Sequence, residues 1–85
     1  MAIPSKSSRK IVVENETYKW IISARDKSLV FVAEHDEYKG RRLEVHIKDY
    51  NTKIVTPKDA ATFIIEAIER GWNPKEKGSP FVVNL

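Results

Sequence analysis

Residues 56 to 81, TPKDAATFIIEAIERGWNPKEKGSPF, constrain the fold more than any other part of this chain. They spell one helix with both ends marked. The Thr56 hydroxyl can accept a hydrogen bond from a free N–H of the first turn. Pro57 follows where its missing N–H costs nothing. Asp59 lies in the first turn, where the helix dipole favours an anion. At the other end Arg70 sits in the last turn, Gly71 can turn left-handed, and Pro74 prevents resumption. Between these signals Ala60, Phe63, Ile64, Ala67 and Ile68 recur at helical spacing and form the predicted buried stripe, with Lys58, Thr62, Glu66 and Glu69 opposite. Trp72 is placed to fold back onto the last turn as a core plug.

The chain before this helix reads as β-structure. Lys10 to Val13 is a short apolar run. Residues 17 to 24 alternate, with Tyr18, Trp20, Ile22 and Ala24 on one face. Leu29, Phe31 and Ala33 share a face in the next run. Leu43, Val45 and Ile47 then alternate strictly with Arg42, Glu44, His46 and Lys48. The spacers, Glu14 to Thr17, Arg25 to Ser28 and Asp36 to Gly40, are turn-rich. Connections this short can only join antiparallel neighbours. The expected fold is α+β: a four-stranded antiparallel meander, one helix packed on one face, and a short final strand at Phe81 to Asn84 whose partner the sequence does not specify.

Register follows from parity, because a slip of one residue exchanges the faces of a strand. Pairing Val13 with Tyr18 and Ile11 with Trp20, through a turn at Asn15-Glu16, matches the apolar sets. So does pairing Ala24 with Leu29 and Ile22 with Phe31, and pairing Phe31 with Val45 and Ala33 with Leu43. One helix covers one side of a sheet, so Ile21, Val30 and Val32 are left on the other, beside His46. Lys19, Ser23, Glu34, Glu44 and Lys48 rim them. Two readings fit this patch. Scattered apolar residues are ordinary on a sheet surface; a contiguous group is a contact face for a protein partner or a second copy.

Charge divides the chain unevenly. Of 15 basic side chains, Lys6, Arg9 and Lys10 fall in the first ten residues, leaving 12 basic against 12 acidic beyond them. Residues 1–8 read as a disordered basic leader and residues 9–85 as a single domain. Such a leader is ordinarily a solvated terminus; with Lys19, Arg41 and Arg42 it is also the basis of a nucleic-acid-binding alternative. The sequence contains no cysteine, which removes disulfide and thiolate chemistry. No apolar run reaches membrane-spanning length, and the first ten residues lack a signal-peptide core. A cytoplasmic protein without membrane contact is expected.

No catalytic constellation emerges. His35 and His46, the two histidines, fall on opposite faces in this register and cannot share a metal. Asp36 and Glu37 with Glu34 lack the donor spacing of a calcium loop. Gly40, Gly71 and Gly78 are isolated and form no phosphate cradle. The expectation is no enzyme, no cofactor and no metal.

Tyr18-Lys19-Trp20, Thr56-Pro57, Gly71-Trp72-Asn73-Pro74 and Gly78-Ser79-Pro80-Phe81 together resemble a group of small bacterial proteins without an assigned function, whose pattern is Y-x-W, T-P, G-W-x-P and G-x-P-F. The resemblance covers most of the chain beyond residue 10. Members often carry glycine in the first hairpin, where Glu16 stands here. The resemblance implies a shared fold and a bacterial or phage origin, and carries over no catalytic residue. The functional expectation is a small interaction or accessory module, of the neutralising kind, acting through the outer sheet face or an edge strand.

Overall fold

A computed structural model describes residues 8–25, 28–38, 40–48 and 56–84. The leader, apart from Ser8, and the centre of the Arg25 to Ser28 turn lie outside these residues. Five strands and one helix follow in chain order: β1 (Arg9–Val13), β2 (Glu16–Arg25), β3 (Ser28–His35), β4 (Leu43–Lys48), α1 (Pro57–Glu69) and β5 (Phe81–Asn84). The sheet order is β1-β2-β3-β4-β5, so chain neighbours are also sheet neighbours. The first four strands form the antiparallel meander. β5 lies along β4 and parallel to it, with Leu43 beside Phe81 and Val45 beside Val83. The intervening helix explains that direction, since a crossover returns the chain to the same end of the sheet.

Two of the three expected hairpin registers are present: Ala24 pairs with Leu29, Ile22 with Phe31, Phe31 with Val45 and Ala33 with Leu43. The first hairpin differs. Ile11 faces Tyr18, not Trp20, and Val13 faces Glu16, not Tyr18. Glu14 and Asn15 both take positive φ, 50° and 67°, the pattern of a two-residue turn whose twist matches that of the strands. The turn therefore sits one residue earlier than expected and β1 moves two residues along β2. A shift of two preserves parity, so every side chain keeps its face.

The helix start combines three devices. Thr56 accepts from the Asp59 N–H (3.2 Å), the Asp59 carboxylate accepts from the Thr56 N–H (3.1 Å), and Pro57 opens the first turn. This reciprocal box satisfies two N–H groups that the helix leaves free. Arg70 is the C-cap residue just past the helix, and Gly71 follows at φ 113°.

Ala60, Ile64 and Ala67 press into the inner sheet face, where Val13, Tyr18, Trp20, Leu29, Phe31, Ala33, Leu43, Val45 and Ile47 are buried. Phe63 and Ile68 lie at the margin of the core, half-buried; Phe63 still stacks at 5.1 Å from Phe31. Trp72 is fully inside, 5.9 Å from Tyr18, and donates its indole N–H to the Arg41 carbonyl at 3.0 Å. The fold thus has one covered face and one face turned away from the helix.

Candidate functional site

The outer face can be read row by row from the register. Ile21, Val32, Glu44 and Val82 lie side by side across β2, β3, β4 and β5. The next row is Ser23, Val30, His46 and Asn84. All the residues singled out for this face are on it, but they are not equally open. Ile21, Val32 and His46 are partly exposed, whereas Val30 is only 3% exposed. Its position explains part of this: β3 is the middle strand, and Ser23 and His46 flank Val30 on both sides. Val30 is therefore a support for the face and not a contact point on it. At the edge of the first row Val82 is 51% exposed.

Arg42, Glu44 and His46 form one polar group on this face. Arg42 donates to Glu44 at 2.8 Å, and Glu44 lies 3.5 Å from His46. Lys19 sits opposite Glu34 in register, and Glu34 is buried. Arg41 turns elsewhere, donating to the Ser79 carbonyl at 2.9 Å with its guanidinium over the Phe81 ring. Arg41 and Arg42, two cations of the nucleic-acid alternative, thus meet partners within the fold.

The two edges of the sheet differ in character. β1 carries Arg9 and Lys10, with Lys10 3.6 Å from Asp36, and exposes Val12. β5 is FVVN, without a charge. The Phe81 N–H donates to the Arg42 carbonyl at 2.7 Å. Peptide groups alternate along a strand, so Phe81 and Val83 address β4 while Val82 and Asn84 turn their N–H and C=O to the open side. On the inner face a shallow cleft runs beside this edge, lined by Val45, Val83, Phe63, Ala67, Glu66 and Arg70.

His35 occupies a second cluster, on the inner face. Its Nδ1 accepts from the Glu37 N–H (3.0 Å) and the Tyr38 N–H (3.2 Å). That assigns the ring proton to Nε2, which donates to Glu16 at 3.3 Å. The other Glu16 oxygen meets Lys75 at 2.6 Å, and the Lys75 ammonium lies over the Tyr38 ring. The hydrogen bond from Lys75, and then that from His35, hold the Glu16 carboxyl below the usual glutamate range. The same Glu16 bond raises Lys75. Burial, and then the Glu16 charge, push the Tyr18 hydroxyl up. His35 lies 5.3 Å from the Tyr18 ring and is buried on the central strand of the sheet. Both ring nitrogens and both carboxylate oxygens are engaged, so the cluster ties the loop around residue 75 to the sheet and offers no free base.

Sequence reasoning placed Glu16 in the turn and missed it as a neighbour of His35; the shifted register brings it into β2, on the face of Tyr18 and diagonally across the strand pair. Lys75 had no signal in the sequence, because it arrives from a loop. No helix among the described residues is long and apolar enough to cross a membrane, and no group of three or more metal-ligating side chains is assembled among them. No family model, curated protein or solved structure matches the chain.

Proposed function

We propose that this chain is a small, non-enzymatic cytoplasmic protein–protein interaction module, of the accessory or neutralising kind. The observation that supports it is the row Ile21, Val32, Glu44 and Val82, which runs across the face turned away from the helix and ends on an exposed valine at an uncharged sheet edge. Apolar side chains held half-open on a rigid sheet gain by leaving water, and open strand edges supply directional backbone hydrogen bonds. The contact surface comprises Ile21, Val32 and His46, with Val30 beneath them.

The test is site-specific photocrosslinking. A benzoyl-phenylalanine at position 32 should give discrete protein adducts in cells, and one at Thr62, on the exposed side of α1, should not. Adducts at position 62 alone would overturn the reading. So would salt-sensitive nucleic-acid binding that disappears when Lys6, Arg9 and Lys10 are replaced by Ala, the signature of phosphate neutralisation.

A further inference from the structure

We propose that β5 is a self-pairing edge. Two copies of the chain join β5 to β5 in antiparallel fashion about a two-fold axis through Val83, forming one continuous ten-stranded sheet. This rests on the interaction-module reading and names the occupant of its edge.

Of the two edge strands, β1 bears charged residues and β5, among the described residues, bears none. Charged residues on an edge strand are a common device against edge-to-edge pairing. β1 carries two cations, Arg9 and Lys10, in its five residues, a guard of this kind. Nothing comparable protects β5: Phe81, Val82, Val83 and Asn84 bear no charge, Val82 is half-exposed and Asn84 is exposed.

A second copy fits this edge because a two-fold contact requires a patch complementary to itself. An uncharged strand meets that condition in its side chains, and the backbone fixes the register. Val82 and Asn84 hold the outward-facing peptide groups. Placing Val82 opposite the partner's Asn84 lets these two residues exchange both N–H···O=C bonds, and symmetry repeats the pair, giving four bonds in all. The competing register, Val82 opposite the partner's Val82, would call on an N–H at Pro80, which has none. Val83 then faces the partner's Val83 in the non-hydrogen-bonded position, where the side chains come closest.

Electrostatics beside the edge do not oppose this arrangement. The cleft next to Val83 is rimmed by Glu66 and Arg70, one anion and one cation, so each copy presents both signs to the other. A four-residue edge buries less than the roughly 1,200 Å² of a standard stable interface. The dimer is therefore concentration-dependent, not permanent.

The cysteine-free sequence permits a direct test on the full chain. In Val83→Cys the introduced thiol is the only one present, and the two-fold register brings it within disulfide reach of its counterpart. Mild oxidation should give a covalent dimer, while Asn84→Cys, displaced from the axis, should give much less. Adding Val82→Pro to Val83→Cys removes an outward N–H and leaves the bonds to β4 intact. Crosslinking should then fall at least tenfold, with the circular dichroism and melting temperature preserved. Val82→Lys, which keeps the N–H and adds a guard charge, should weaken sedimentation-measured association of the unmodified chain to a similar extent.

Three results would overturn the proposal: a chain that sediments as a monomer up to its solubility limit, equal crosslinking of the two cysteine variants, or association untouched by both Val82 substitutions. The face and the edge fail separately. Heterologous adducts at position 32 from a monomeric chain would remove the dimer alone, whereas a β5 dimer without such adducts would remove the partner reading and leave the self-pairing standing.

Discussion

Trp72 hydrogen-bonds the backbone oxygen of Arg41 through its indole nitrogen, across 31 positions of chain. The ring thereby closes the end of α1 and anchors the segment that leads into β4. Trp72→Phe keeps most of the apolar volume but leaves the Arg41 carbonyl without this donor. A loss of about 1–3 kcal/mol is expected, and Trp72→Ala should cost about 3–5 kcal/mol through the cavity it adds. Equilibrium denaturation of both variants checks the order, and equal losses would mean that the hydrogen bond contributes nothing.

Gly40 and Gly71 should respond to alanine for different reasons and by different amounts. A Cβ on Gly40 would collide with the backbone of Pro74, Lys75 and Glu76, so Gly40→Ala forces two chain segments apart. A cost of about 3 kcal/mol or more is expected, the upper part of the overpacking range. Gly71 has open space around it and only its φ of 113° to protect, so Gly71→Ala should cost about 1–2 kcal/mol. Reversal of this order in urea titrations would contradict the packing of the 40–42 segment under the 74–76 loop.

The first hairpin is under-optimised and should be easy to improve. Glu14 holds a left-handed conformation at φ 50° that asparagine or glycine tolerates better. Glu14→Asn is expected to stabilise by about 0.5–1 kcal/mol. The denaturation midpoint should rise with an unchanged slope.

Acid should weaken the fold through Glu16. Its carboxyl lies below the usual range because of the Lys75 and His35 hydrogen bonds. A depressed value contributes stability above the unfolded glutamate value, and that contribution is lost as the pH falls through the folded one. Lys75 is raised, so its share is complete below the unfolded lysine value and disappears as alkaline pH passes the folded one. The stability gap between the wild type and Glu16→Gln should therefore be widest between these limits and narrow on both sides. A gap independent of pH would show that the Glu16 charge has no part in holding the loop.

Periodicity made the helix and four strands readable, because Ala60, Ile64 and Ala67 at one spacing and Leu43, Val45 and Ile47 at another leave little choice of element. Parity placed Ile21, Val30, Val32 and His46 on the outer face. It could not count residues in the first turn, since Val13 against Tyr18 and Val13 against Glu16 preserve the same faces; only the left-handed pair Glu14 and Asn15 separates them. Nor could it report that Val30 is shielded, because exposure depends on neighbouring strands and not on alternation. Lys75 joins Glu16 from a loop without periodicity, and its position depends on the Trp72 and Gly40 contacts that fold that loop back.

Sheet order that copies chain order has a kinetic meaning. Each of the first three pairings closes a short loop, and the entropy of closing a loop grows with its length. β5 alone must wait for its span to β4, helix included, to come together. We expect it to join last, with low φ-values in the folding transition state, and its amide protons to exchange with solvent before those of β2 and β3. The edge that presents Val82 is then also the first place where the native sheet opens.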